Sequence, residues 1–211
     1  MRHWPLTALQ LTTAELVLRL PSDDDLDALA QVAADGVVPE GAVYFPQPWA
    51  SAPPDERARS VVQNHWWARG DWTRENWRLL LAVFRDGQVI GQQNLSARDF
   101  ATTGEARTGF WLGSRFQGQG YGTQMRAAAL ALAFDGLGAA RVTSTAFADN
   151  AASRAVSRKF GYRPNGVHRI AVDGHPCDAH EEVIEAVDWQ GHASVVPVGI
   201  LGLPGCIPLF R

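Results

Sequence analysis

The stretch Gln117-Gly118-Gln119-Gly120-Tyr121-Gly122 constrains this chain more than any other. Three glycines at alternate positions follow a strand-like run, Glu105 to Leu112, and a helix-forming run, Thr123 to Phe134 (TQMRAAALALAF), comes straight after them. Glycine permits tight turns and close approach to the main chain, so successive N–H groups can converge on an anion. The helix start behind them adds a partial positive charge, which suits a pyrophosphate. A nucleotide-triphosphate loop would need Gly-Lys-Ser/Thr, and Gly122-Thr123 has no lysine. A dinucleotide fingerprint would need a third glycine where Thr123 stands. A glycine turn with no ligand is the plain alternative.

Around this segment the pattern predicts α/β architecture. Glu15 to Leu20 reads as a strand closed by Pro21. Ser22 is a helix cap, and Asp23, Asp24 and Asp25 suit the positive end of the helix it opens. Helix-start charge explains that acidic triplet without a metal. Val37 to Pro54 is a proline-rich loop carrying Tyr44, Phe45 and Trp49, and Pro54 opens a second helix reaching about Arg69. Trp77 to Phe84 and Gln88 to Leu95 form a hairpin about Asp86-Gly87. Then come strands at Glu105–Leu112 and Arg141–Phe147, a helix from Asn150 to Phe160, and a last strand pair, Arg163 to Val172 and Glu181 to Val187, around Asp173-Gly174. The tail from Trp189 holds Pro197, Pro204 and Pro208 and is expected to wrap the surface without regular structure; residues 1–190 form the domain and 191–211 pack on it.

Composition removes several function classes. The chain has 211 residues and a formal charge of −3, without the basic surplus of a protein devoted to nucleic acid. No apolar run is long enough for a membrane span, and the N-terminus carries no leader signature. Cys177 and Cys206 are too few for a disulfide framework, so a cytoplasmic home is expected. His175, Cys177, Asp178 and His180 lie close in sequence but straddle a hairpin, where alternate side chains point apart, so no metal is expected.

Residues 110–162 resemble the GCN5-related N-acetyltransferase (GNAT) family. Its pyrophosphate loop, Gln/Arg-x-x-Gly-x-Gly/Ala, is matched by Gln117 to Gly122. Asp149-Asn150-Ala151-Ala152-Ser153, followed by Val156 and by Lys159 to Tyr162, is similar to the family's Asn-x-x-Ser helix with its Gly-aromatic ending. Val89-Ile90-Gly91 sits where the family has an Ile-Gly strand. The resemblance spans about residues 12 to 190 and is closest to the RimJ/RimL-like branch.

It implies a mixed, mostly antiparallel sheet with a central V-shaped splay between two parallel strands, Glu105–Leu112 and Arg141–Phe147, flanked by helices. It implies acetyl-CoA, or a longer donor such as succinyl-CoA, as co-substrate. The pyrophosphate would rest on the amides of Gln119, Gly120, Gly122 and Thr123, with Gln117, Gly118 and Tyr121 completing the cofactor loop, and the pantetheine on Trp111, Leu112 and Asn150, beside Ser153. Arg115, Arg126 or Arg158 would meet the nucleotide phosphates, a merely solvated arginine being the alternative. A strand amide near Phe110 to Leu112 would hold the oxyanion, and Ser153 would give a proton to the departing sulfur; a helix-start hydroxyl bonded to local backbone is the alternative.

The base is sought at Glu105, because Arg107 stands where many relatives carry a glutamate nearer the Gly-aromatic-Trp. A strand-end charge is the plain alternative, and a water chain could serve instead. Tyr44, Phe45, Trp49 and His65 are the expected acceptor-binding residues, although a plain core or surface histidine is the favoured reading of His65, and core packing that of at least two of Trp66, Trp67 and Trp77. The acceptor is a primary amine of a small molecule or a protein N-terminus, and a homodimer is left open. The rival readings are the same fold using another carrier, such as an aminoacyl-tRNA, and a non-catalytic acyl-CoA sensor.

Overall fold

The computed structural model describes residues 1–211 apart from 40, 43, 173, 191, 193 and 194, and gives only the main chain of residue 48. Nine described strands form one sheet. They are β1 (Gln10–Thr12), β2 (Val17–Arg19), β3 (Asn76–Arg85), β4 (Gln88–Arg98), β5 (Glu105–Leu112), β6 (Arg141–Phe147), β7 (Arg163–Val172), β8 (His175–Glu185) and β9 (Gly199–Leu201), in the spatial order β7-β8-β6-β5-β4-β3-β2-β1-β9. All neighbours run antiparallel except β5 and β6.

Local chemistry sets much of this. In the helix α1 (Asp23–Ala34), Ser22 and Asp25 exchange side-chain-to-backbone hydrogen bonds in a capping box, and Arg19 grips Asp25 at 2.7 Å. The helix α2 (Pro54–Gly70) begins on a proline, where the missing N–H costs nothing. Asp86 and Gly87 both have positive φ, the type I′ geometry that the twist of a two-residue hairpin favours. Of the predicted turn Asp173-Gly174, Asp173 lies outside the described residues; Gly174 has φ of +76°.

The sheet has two covered faces. The helix α4 (Tyr121–Ala131), continued by a π-turn at Leu132–Gly136, presses Met125, Ala128 and Leu130 onto one face, against Leu79, Leu81, Val83 and Ala106. Its alanines let helix and sheet approach closely and bury it nearly all round. On the other face α1 and α2 pack Leu26, Leu29 and Val61 against Ala82 of β3 and Trp111 of β5. A short helix, α3 (Phe100–Thr103), joins β4 to β5; the helix α5 (Ala151–Lys159) lies between β6 and β7, and α6 (Ala186–Trp189) follows β8.

Two sequence expectations need correction. β8 begins at His175, six residues before the expected start at Glu181, because β7 supplies a partner along its whole length. The tail is not without regular structure: β9 pairs with β1, and Phe210 is fully buried against Trp72 and Trp77. Trp72 Nε1 donates to Leu209 O at 3.0 Å. The prolines exclude helix there, but the sheet edge at β1 offers a ladder that no local pattern announces.

Candidate active site

β5 and β6 pair in register only from Glu105↔Arg141 to Thr108↔Ser144, and then part. Beyond that point β5 keeps its ladder with β4 as far as Leu112. Gly113 N–H donates to Ile90 O, and N–H groups alternate along a strand, so those of Gly109 and Trp111 also turn towards β4. Those of Phe110 and Leu112 therefore face the widening gap. Two main-chain donors thus look into a wedge whose other wall is β6.

At the mouth of the gap stands the N-terminus of α4. Gly118 (φ +72°) and Gly120 (φ +88°) hold the loop in the left-handed region, and a side chain added at either would project into open space. No side chain caps the helix. The Thr123 amide is spent on Gly120 O at 3.0 Å, so it is less available to a ligand than the sequence suggests. The amides of Gln119, Gly120, Tyr121 and Gly122 carry no partner among the described residues. Gln117 acts from behind: its Nε2 donates to Val37 O (2.7 Å) and Leu112 O (2.9 Å), fastening loop, strand end and α1 terminus together. Gln119 donates to Arg115 O. An arc of unpaired N–H groups at the positive end of a helix fits a pyrophosphate.

The remaining expected residues divide. Asn150 caps α5, its Oδ1 accepting from Ser153 N–H at 3.0 Å, so both members of Asn-x-x-Ser sit at the helix start across from α4. Lys159 reaches Thr123 Oγ1 at 3.3 Å, joining the two helices. Phe45 packs at a tilt against Trp49 (5.0 Å between centroids) and Trp49 against Trp111 (5.6 Å), which makes this aromatic cluster one wall of the α1–α2 face. Tyr44 is half-buried on the same loop.

Glu105 is not brought to the gap. It is exposed at the start of β5, five residues and thus roughly 16 Å from Phe110 at the usual rise of a strand. Arg107, nearer the gap, pairs with Glu181 of β8 at 2.7 Å, a carboxylate that sequence reasoning did not single out because its partner lies 74 residues away. Nor does Arg126 meet phosphates: it is fully buried, with its guanidinium beside the rings of Phe110 (5.2 Å) and Tyr162 (5.1 Å).

His65 is 1% exposed, inside α2's packed face beside a small cavity it shares with Leu20, Arg69 and Trp72. Burial lowers its pKa to about 4, so the ring is neutral, and its Nε2 lies 2.7 Å from Gln92 Oε1. Trp77 is core, whereas Trp66 and Trp67 are 58% and 66% exposed. Trp67 borders a groove of about 610 Å³ on the α1–α2 side of the sheet, with Arg78, Ser96, Glu105, Arg107 and Thr143 also in its walls. No cluster of metal-ligating side chains occurs among the described residues, and no described helix is long and apolar enough to cross a membrane.

The model of the acetyltransferase (GNAT) domain matches residues 15–163. The chain belongs to the GNAT family. A GCN5-related N-acetyltransferase from Brucella melitensis superposes on this acetyltransferase with a TM-score of 0.69 at 20% identity, covering 87% of this chain and 81% of its own. Mycobacterium smegmatis RimJ, solved with a CoA disulfide, gives 0.67 at 21% identity, with 90% and 92% covered. RimL, a ribosomal L7/L12 α-N-protein acetyltransferase solved with coenzyme A, gives 0.61 at 20%, with 82% and 95% covered. At such identities the likeness shows the fold. Membership of the GNAT family makes this chain an N-acetyltransferase with acetyl-CoA as its co-substrate.

Proposed function

We propose that this enzyme moves an acetyl group directly from acetyl-CoA to a primary amine that enters from the α1–α2 face. The observation that carries the reading is the parting of β5 and β6 after Thr108 and Ser144, beside a helix N-terminus with no side-chain cap. The co-substrate supplies an activated carbonyl and a thiolate leaving group. The amides of Gln119 to Gly122 hold its pyrophosphate, Leu112 and Asn150 align the pantetheine, and Gln117 fixes the loop.

Phe110 N–H points into the gap and takes the charge that develops on the carbonyl oxygen. The amine nitrogen bonds to the carbonyl carbon, the carbon–sulfur bond breaks, the amine proton passes to water, Ser153 Oγ gives its proton to the thiolate, and Ser153 then recovers a proton from water, so that one proton moves in all from nitrogen to sulfur. No acyl-enzyme is needed, so Cys177 has no part. The Tyr44–Trp49 loop shapes the acceptor side. The acceptor is a protein N-terminus or a small-molecule amine; the names of RimJ and RimL among the similar folds favour the former.

Gly120→Glu puts a carboxylate where a phosphate would lie, at a φ that L-residues resist. Calorimetry with acetyl-CoA should show binding abolished while the far-UV spectrum is kept, and unchanged affinity would refute the assignment. Ser153→Ala should lower kcat about 10-fold or more, within the usual span of general acid catalysis, with CoA affinity unchanged. An unaltered kcat where chemistry limits the rate would leave Ser153 with a helix-start role only.

A further inference from the structure

On β4, Gln92, Asn94 and Ser96 share one face of the sheet, and opposite them on β5 stand Trp111, Gly109 and Arg107. This is the α1–α2 face, since Trp111 packs in that cluster and Arg107 and Ser96 line the groove there. Three side chains form a hydrogen-bonded line across it. His65 Nε2 meets Gln92 Oε1 at 2.7 Å, and Gln92 Nε2 donates to Asn94 Oδ1 at 2.6 Å. His65 and Gln92 are both buried, so that end of the line is shielded from water. Gln92 spends its N–H on Asn94, so its oxygen must accept, and neutral His65 carries its proton on Nε2.

The line has one consequence for Asn94. Its oxygen is taken, so its Nδ2 is turned to the other side, where it approaches the space above Gly109; a Cβ built there would lie 3.9 Å from that nitrogen. Asn94 Nδ2 has no partner among the described residues. Gly109 directly precedes Phe110, whose N–H faces the gap, and has no side chain to screen one from the other. Any group attached to an amine attacking beside Phe110 from this face passes over Gly109, within reach of an oriented donor.

We propose that Asn94 is a specificity-determining residue for the acceptor, and that His65 and Gln92 are positioning residues acting through it. The inference rests on the acyl-CoA reading of the gap. A donor held one residue from the reacting centre favours an amine with a carbonyl on the carbon next to the one that bears it, as in a polypeptide N-terminus. An amine flanked only by methylenes offers nothing to that donor and leaves it unpaired.

The test uses two conjugates of coenzyme A, its sulfur joined through a –CH2–CO– link either to the α-amine of alanyl-alanine amide or to butylamine. Calorimetry on the full chain should show the alanyl conjugate binding about 5- to 10-fold tighter, the size of one neutral hydrogen bond. Asn94→Ala should erase that ratio with affinity for free coenzyme A unchanged, and Asn94→Asp should invert it, because a carboxylate repels the carbonyl oxygen. Gln92→Leu, which touches no ligand, should also reduce the ratio by freeing the Asn94 amide to rotate. Equal binding of the two conjugates by the parent, or a ratio that survives Asn94→Ala, overturns the inference and leaves the acyl-CoA reading standing. A parent protein that binds neither conjugate nor coenzyme A overturns that reading as well.

Discussion

Replacing Arg126 with Met should stabilise the ligand-free protein. Arg126 is fully buried in α4, and neither its Nε nor its Nη1 finds a hydrogen-bond partner among the described residues. No carboxylate lies within ion-pair distance of it there, and its compensation is the two rings, Phe110 and Tyr162, on which its guanidinium rests. Two unpaired buried donors cost about 1–3 kcal/mol each, and two desolvated cation–π contacts return about 0.5–2 kcal/mol each. Central values leave the guanidinium a net burden of about 1–2 kcal/mol. Met keeps the unbranched stem and the helix propensity without the charge.

At about 2–4 °C per kcal/mol for a chain of this size, Tm should rise by roughly 2–8 °C. Urea unfolding followed by tryptophan fluorescence should give the same sign. Arg126→Lys, which keeps the charge but loses the planar contact with the rings, should be less stable than the parent. A loss of more than about 1 kcal/mol in Arg126→Met would refute the reasoning, for it would mean that the guanidinium is paired in solution.

Gly91→Ala should cost about 2–3 kcal/mol in urea unfolding and weaken acetyl-CoA binding, because its Cβ would lie 2.3 Å from Trp111 O and 3.0 Å from Leu112 Cα, and the strand facing the gap would have to move. The folded state holds the His65 pKa at about 4 against 6.5 when unfolded, so the unfolded chain binds the extra proton between those values. Stability should therefore be full above about pH 6.5 and fall on acidification towards pH 4, by about 3 kcal/mol for this group, and His65→Gln should flatten that slope in urea titrations at several pH values. Trp49→Ala, which removes the ring between Phe45 and Trp111, should change the preference among a panel of primary amines while acetyl-CoA affinity stays; a fall in Tm alone would make the loop structural.

The sequence by itself determined what a few neighbouring residues decide. Asp86-Gly87 makes a two-residue hairpin turn, Ser22 caps the helix that Asp25 helps to open, and Gln117 to Gly122 place a glycine-rich loop between a strand and a helix. The bounds of β5 and β6 were legible for the same reason: alternation and flanking turns act within the strand, and with the family resemblance they placed the gap. Tertiary structure decided whatever depends on which distant elements meet. Arg126 reads as a phosphate ligand until α4 rolls its face onto Phe110 and Tyr162. Glu105 reads as the nearest carboxylate until the rise of the strand separates it from Phe110, while Arg107 takes a partner from β8. His65 belongs to no motif, yet the packing of α2 on β4 sets it against Gln92 and so aims Asn94. Backbone conformation is fixed by sterics over a turn or two, whereas a side chain's charge state and hydrogen-bond partners are fixed by what is packed against it; His65 meets Gln92 from 27 residues away and Arg107 meets Glu181 from 74.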